Sequence, residues 1–600
     1  MAEIIKTEFR GQRNDTGAKF VGDDYFYLTE NINQDDIVGF NKTLAPMELN
    51  KTSLGESIDG LIEYNYLNDE NRLNTLNLIF CDGKVYQNFD NPQLIYEGMS
   101  KGIVKTAVLN DKLFIVNGVD YPLVFNGRTF RQMGAPEAIQ TIEAGVLNGA
   151  YYYAVTYITN NNNEEVIGTV SNTLSVNNRQ IRLNLPVGYA STTKRKIYRT
   201  AAGGNELKFV AEIEDNTTLE YVDNLEDEEL GDLIPPVNNE CPRPKFIESN
   251  YFRLIGVGDE MFPTQAYVSD PNVEILDKAN YIDVTNRAGD NSKITGLSKD
   301  YNLIIIASEK QIYTLDVSGE TPSVTATRAN VGCKDGYSMV AVPAEGNFSG
   351  GVLFVSPDNT VRLLNGNYAQ PIATSLDNIR TENWAQIISG SLAVDLQSYV
   401  NLSAVYYDFK YHLAVDRYIY VFDIRRLAWS ILKFETENNL CNVRILYTPN
   451  PTLLLVGRAN GGFVERMYQK IKYKDEDLKA SVIFPFWAVS SKQKYFRDLI
   501  IYFERATNLD IDVTIRVGEQ QNAEFTVNIS DTGGEDYGDF DRKYYSEFYY
   551  ETGYASEDFR EIHINQYGFW IQFEVTMPSK LTLIRGIQLI YDEITNKEMR

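Results

Sequence analysis

Leu303-Ile-Ile-Ile-Ala-Ser-Glu-Lys-Gln-Ile-Tyr313 sets one apolar, β-branched run against another across a short polar turn. That is the pattern of a β-hairpin. The same unit returns in Leu76-Asn-Leu-Ile-Phe-Cys-Asp-Gly-Lys-Val-Tyr86, Leu113-Phe-Ile-Val-Asn-Gly-Val119 and Val352-Leu-Phe-Val-Ser-Pro-Asp-Asn-Thr-Val-Arg362. Two further copies are Tyr411-His-Leu-Ala-Val-Asp-Arg-Tyr-Ile-Tyr-Val421 and Leu453-Leu-Leu-Val-Gly-Arg-Ala-Asn-Gly-Gly-Phe463. Hairpins spaced roughly 35 to 60 residues apart match the one-blade-per-repeat rhythm of a β-propeller, whose radial packing leaves only short, protected strand edges. A stack of unrelated sandwiches is the competing architecture.

Working outward, the rhythm breaks between Pro136 and Pro236. There Tyr151-Tyr-Tyr-Ala-Val-Thr-Tyr-Ile158, Gln180-Ile-Arg-Leu-Asn-Leu185, Lys194-Arg-Lys-Ile-Tyr-Arg-Thr200, Phe209-Val-Ala-Glu-Ile213 and Leu219-Glu-Tyr-Val-Asp223 read as the short strands of a separate fibronectin III or immunoglobulin-like sandwich. After about Ala480 the strands lengthen, as in Phe496-Arg-Asp-Leu-Ile-Ile-Tyr-Phe503, Ile511-Asp-Val-Thr-Ile-Arg-Val517 and Gly568-Phe-Trp-Ile-Gln-Phe-Glu-Val575. The expected all-β organisation is therefore a first part of a propeller over 1–135, an inserted sandwich over 136–236, the remainder of the propeller over 237–480 and a C-terminal sandwich over 481–600. One helix is expected, over Ser375 to Leu392, where Leu376, Ile379, Trp384, Ile387 and Ile388 share a face and Gly390 ends it.

The bulk numbers agree with a large β protein. The 600 residues are enough for several cores, and 40 Tyr and 29 Phe against 4 Trp favour strands. A net charge of -26 argues against holding nucleic acid by phosphate neutralisation. It suits a soluble surface, or a wall along which DNA slides without sticking. The first ten residues carry charge without an apolar stretch, and nowhere do eighteen apolar residues run together, so no secretory signal or membrane-spanning helix is expected and synthesis in a cytoplasm follows.

Chemistry-bearing patterns are sparse. Cys81, Cys241, Cys333 and Cys441 lack metal-ligand spacing and read as reduced core thiols. The two histidines, His412 and His563, lie within strand patterns, with no G-x-S-x-G elbow to supply a nucleophile. The 82 acidic residues make accidental carboxylate pairs inevitable, so a carboxylate-dependent glycosidase has no specific signal. Ser356-Pro-Asp-Asn-Thr-Val-Arg362 resembles a sialidase Asp-box but lacks its glycine and terminal aromatic, which leaves a hairpin turn. No phosphate-cradling glycine motif occurs. Asp531-Thr-Gly-Gly-Glu-Asp-Tyr-Gly-Asp-Phe-Asp541 misses the calcium-loop order of ligands, and Tyr537 to Tyr554 reads equally as a contact loop or a flexible one. No catalytic, cofactor-binding or metal residue is assigned, and no cofactor is expected.

Phe9-Arg-Gly-Gln-Arg-Asn-Asp-Thr16 with Glu30-Asn-Ile-Asn33 and Gly39 resembles the start of bacteriophage tail nozzle proteins. Similar again are Ile197-Tyr-Arg-Thr200 with Tyr221-Val-Asp223 and Leu230-Gly231, then Val331-Gly-Cys-Lys-Asp-Gly-Tyr-Ser-Met-Val340, and Tyr420-Val-Phe-Asp-Ile-Arg-Arg-Leu-Ala-Trp429. The family is the tail tubular or packaged-DNA-stabilisation class of short-tailed phages, and the Asn-, Ile- and Lys-rich texture is similar to that of a crAss-like phage. The resemblance implies a virion protein that is not an enzyme, in a hexameric or dodecameric ring below portal and adaptor, past which genomic DNA moves without tight binding. The large insert departs from it, and not every blade aligns. The rival readings are a receptor-binding or glycan-recognising tail protein and a propeller glycosidase.

Overall fold

In the computed structural model, apolar alternation puts one face of each strand against a neighbouring sheet, and successive four-stranded antiparallel sheets follow one another along the chain. The structure describes residues 2–594 apart from 8, 10–24, 34–38, 69, 288, 373–395, 436–440, 451–452, 471, 505–509, 519–522, 531–556 and 578–582. Among the described residues seven sheets are blades: 58–97, 105–132, 246–283, 294–326, 340–371, 402–433, and 443–470 completed by Ala45–Glu48. The chain is all-β, with a propeller body, an inserted sandwich and a C-terminal sandwich.

The ring closes in two ways. Ala45–Glu48, from near the start of the chain, pairs with Val464–Lys470 as the outer strand of blade 7, so the last blade is shared between distant segments. Apolar clusters then fill the space between neighbouring blades, as where Leu78 and Phe80 of blade 1 meet Leu113 and Ile115 of blade 2. The series ends where Ile445 and Leu455 of blade 7 meet Ile58 and Ile79 of blade 1. At that last seam Gly457 permits the approach, because a Cβ there would stand 2.6 Å from the Ile58 side chain.

Four of the six hairpins legible in the sequence hold the second and third strands of a blade, while Leu113–Val119 and Leu453–Phe463 hold the second strand and residues of the connection that follows it. The one missed belongs to blade 3, whose strands Arg253–Val257 and Gln265–Val268 are joined by a longer connection that gives no tight-turn signal. First and second strands often meet through two-residue turns with both residues at positive φ: Asn110-Asp111, Tyr251-Phe252 and Asp408-Phe409. Because strand direction alternates, these turns share one face of the propeller, and the starts of the inner strands lie on the other. Helix is minor, as in the single turn Val284–Arg287. The helix expected over 375–392 lies outside the described residues.

The inserted sandwich packs a three-stranded sheet (Glu137–Tyr151, Leu174–Asn184, Glu220–Asp223) on a four-stranded one (Glu164–Glu165, Tyr153–Thr159, Thr192–Arg199, Lys208–Ile213). Its core runs on into blades 2 and 3, as Tyr153 and Ile197 belong to one apolar cluster with Phe114 and Leu254. The C-terminal sandwich corrects the expected N-terminal boundary. Ala2–Lys6 pairs with Ile584–Glu593, and Leu28–Glu30 with Ala480–Ile483, so the chain start belongs to this sandwich and not to the propeller over 1–135. The reason is edge satisfaction: each short N-terminal strand covers the hydrogen-bonding edge of a C-terminal one.

Candidate functional site

Two places gather polar chemistry, the propeller axis and a cleft beside blades 6 and 7. A third feature is an apolar patch on the face that carries the two-residue turns.

At the axis, the inner strands begin with charged residues: Asp59 in blade 1, Lys105 in blade 2, Arg444 in blade 7, with Lys245 just ahead of blade 3. The 3-10 turn Gly336–Ser338, ahead of blade 5, brings the Tyr337 ring among them. Lys105 Nζ lies 5.1 Å from its centroid, Lys245 Nζ 4.9 Å, and the charges of Arg444 and Asp59 also act on its hydroxyl. Tyr337 therefore lies where charges of blades 1, 2, 3 and 7 converge, its ring packed against Phe246 with centroids 5.1 Å apart. The turn is held by Asp335, whose side chain accepts from the Tyr337 N–H at 3.0 Å and from Tyr399 Oη at 3.2 Å.

The axial carboxylates are engaged. Arg444 binds Asp59 at 2.8 Å and reaches Asn401 Oδ1 at 3.2 Å. Burial nevertheless pushes the Asp59 carboxyl up, with the Arg444 charge working against it. Glu248 is likewise raised by enclosure and offset by Lys105, whose own ammonium is lowered by the same enclosure. Asp59 thus pairs with Arg444, and Glu248 feels the opposing charge of Lys105.

The cleft, of about 380 Å³, lies where residues 32–33 and 41–44 run beside blades 6 and 7. Lys42, Lys410 and Arg426 line it together with His412 and Tyr407. His412 is buried, with Nε2 3.0 Å from Tyr468 Oη. His563 lies far along the chain on the C-terminal sandwich, with Nδ1 2.6 Å from Asp498. The structure does not bring the two histidines together. The four cysteines are buried and unbridged, and burial pushes the Cys81 and Cys333 thiols up to about 12. Ser356 to Thr360 is the hairpin turn of blade 5, tied by Arg362 to Asp358 at 2.7 Å. The acidic and tyrosine-rich stretches over 531–554 lie outside the described residues.

The patch was not legible in the sequence, because its members are turn residues of different blades. Tyr251 and Phe252 of blade 3 and Tyr301 and Leu303 of blade 4 are 42%, 67%, 80% and 46% exposed. Asn250 Nδ2 donates to the Asn302 carbonyl at 2.8 Å and Lys299 Nζ to the Ser249 carbonyl at 3.0 Å, so the two turns stand side by side. Contiguous exposed apolar surface of this kind marks an interaction site more often than isolated exposed residues do.

No protein-family model matches the chain, and no curated protein matches it. Among solved structures it is similar to an exo-β-1,3-galactanase of Phanerochaete chrysosporium bound to galactose, at 9% identity and TM-score 0.22, covering 57% of this chain and 95% of that one. It is also similar to the Pan2 WD40 domain of Neurospora crassa, at 8% identity and TM-score 0.25, covering 72% and 98%. An ancestral GH74 enzyme matches at 10% identity and TM-score 0.25, covering 81% of this chain and 63% of that chain. The fold assignment rests on the sheet order above, and none of these likenesses bears on function. Among the described residues no helix is long and apolar enough to cross a membrane.

Proposed function

We propose that the chain is a structural, non-enzymatic subunit of a ring in the tail of a short-tailed bacteriophage, seated below portal and adaptor, which retains packaged DNA and conducts it during ejection. The observation that carries this reading is the contiguous patch of Tyr251, Phe252, Tyr301 and Leu303. It is the kind of aromatic surface that a neighbouring subunit covers. The conduit of such a ring runs between subunits, along outer surfaces of a chain whose net charge is -26. A negative wall repels the phosphate backbone and lets a genome pass without dwelling.

The test is negative-stain microscopy and native mass measurement of the full chain, alone and mixed with portal and adaptor proteins. Closed rings of six or twelve copies are expected, and their loss in a Phe252→Ser/Tyr301→Ser variant that keeps the wild-type melting temperature. A chain that stays monomeric with portal and adaptor present overturns the reading. In the same preparation, duplex DNA is not retained at about 0.15 M salt, where the screening length is about 8 Å. A second reading, a glycan-recognising tail protein, is favoured by the three exposed rings of the same patch, Tyr251, Phe252 and Tyr301, since exposed rings also stack on sugars. Binding of a host polysaccharide by monomers, lost in that variant, selects it.

A further inference from the structure

On the outer face of the C-terminal sandwich, Lys494–Glu504 pairs with Glu557–Gly568 so that Asp498 stands directly across from His563. Glu561, two residues before His563 on the same strand, projects from the same face. The intervening side chains Leu499, Ile501, Ile562 and Ile564 are buried on the opposite face. One ligand atom from each of Asp498, Glu561 and His563 lies within 4.8 Å of the others. We propose that these three side chains form a divalent transition-metal site of the zinc class, with a fourth position open to water or to a donor from another molecule.

Chemistry favours this assignment over a simple surface ion pair. A histidine and one aspartate satisfy each other, but the second carboxylate adds a negative charge that the imidazolium cannot offset, and like charges this close repel. A divalent ion resolves the excess. An imidazole with two carboxylates is a borderline donor set that suits zinc better than calcium, which takes six to eight oxygens. Ligands held about 2.0 to 2.1 Å from a tetrahedral zinc stand about 3.3 Å apart, so to take an ion the His563 Nδ1–Asp498 contact of 2.6 Å opens slightly while the three ligand atoms, all within 4.8 Å, adjust by side-chain rotation. The strand ladder supplies the rigidity. A bulge between Phe496 and Asp498, present in the pairing with both neighbouring strands, sets the direction of the aspartate. Asp498 lies more than sixty residues from the Glu561-Ile562-His563 stretch, which alone is no ligand motif, and that is why no pattern announced the set. The proposal stands apart from the ring reading, since neither the patch nor the axis contributes a ligand.

The experiment is calorimetric titration of the metal-stripped full-length chain with zinc chloride, followed by cobalt(II) substitution and visible spectroscopy. The expected result is a site of unit stoichiometry, with the intense absorption of tetrahedral or five-coordinate cobalt. Asp498→Asn and His563→Gln each weaken that site on the order of 100-fold while leaving the melting temperature of the metal-free chain unchanged. Glu561→Gln, at a strand position with no core contact, serves as the third variant should either of the others lower stability. Absence of stoichiometric binding overturns the proposal, as does binding that survives all three substitutions.

Discussion

The inserted sandwich buries charge at its centre, whereas the C-terminal sandwich is centred on hydrocarbon. In the first, the side chains of Arg199 and Asp223 are fully covered and meet at 3.0 Å, with Tyr153 Oη donating to the same carboxylate at 2.8 Å and Arg199 reaching Asp227 at 2.8 Å. In the second, Phe9, Phe26, Phe40, Phe484, Trp487 and Phe573 pack ring against ring, with centroids 5.1 Å apart for Phe9 and Phe26 and 5.3 Å for Trp487 and Phe573. The difference follows from how each module is wired into the chain. The C-terminal sandwich is closed by strands from both ends of the sequence, so long-range pairing already fixes its register. The insert leaves and re-enters the propeller locally, and a buried charged network penalises any one-residue slip of its strands.

The largest expected effect tests that reading of the insert. Arg199→Met strands the Asp223 carboxylate in the core and costs about 3 to 5 kcal/mol. The loss shows in hydrogen exchange of strands 192–199 and 220–223, with the C-terminal sandwich unaffected. Arg199→Met/Asp223→Leu recovers most of that stability, because an apolar pair of similar volume replaces a buried ion pair at little net cost. If the double variant is stable but its strands exchange as a loosened set, the network supplies register rather than energy. A single variant as stable as the wild type removes the contrast altogether.

A smaller effect is expected where the C-terminal sandwich meets the propeller. Asn31 sits at φ 56°, a conformation asparagine tolerates, and it bridges both bodies. Its amide donates to the Lys433 carbonyl of blade 6 at 2.9 Å and to the Lys479 carbonyl at 2.8 Å, while its oxygen accepts from the Lys433 N–H at 2.7 Å. Asn31→Ala leaves these backbone groups unsatisfied and costs about 2 to 3 kcal/mol. The sandwich then separates from blade 6, which small-angle scattering reads as a longer maximum dimension. Unchanged scattering would mean that packing alone carries the junction.

How far the sequence could be read follows the same division. Local hairpins announced themselves: Leu303 to Tyr313 and Val352 to Arg362 carry their turns within them, and both are blade hairpins. Partners far apart in sequence did not. The Ala45–Glu48 strand that closes blade 7 is short and contains a proline, and nothing in Ala2–Lys6 names Ile584–Glu593 as its mate. Blade 3 hid because its hairpin connection is long. The exposed patch, the charged cluster around Tyr337 and the Asp498, Glu561 and His563 cluster are all products of topology, each assembling residues from separate strands or blades. Periodicity reports which face of a strand is apolar and is silent on which strand lies beside it.

The smallest predicted effect concerns the anchor between the insert and blade 2, and it sharpens the comparison because this junction is polar as well. Glu137, the first residue of the insert, is buried and accepts from Asn126 at 2.7 Å and Thr129 at 2.5 Å in blade 2, and from Asn184 at 2.9 Å within the insert. Burial pushes its carboxyl up, but the hydrogen bonds from Thr129, Asn184 and Asn126 and the Arg131 charge outweigh that and hold it below the usual carboxylate range. A depressed folded-state value means the unfolded chain binds the proton first. The stabilisation is therefore complete above the unfolded value of about 4.3 and is lost as pH falls through the lower folded value. Lowering the pH across that window should raise hydrogen exchange at Glu137–Tyr151 in the wild type. Glu137→Gln, already neutral, should start less stable and lack this component. The Asn31 hydrogen bonds join uncharged groups, and the charged contact beside them is the partly exposed Glu30–Lys433 pair at 3.7 Å, so acid loosening at Leu28–Glu30 should be smaller than at Glu137–Tyr151. If both junctions loosen together in the acid, global protonation and not Glu137 governs the response, and the distinction between the two attachments fails at this point.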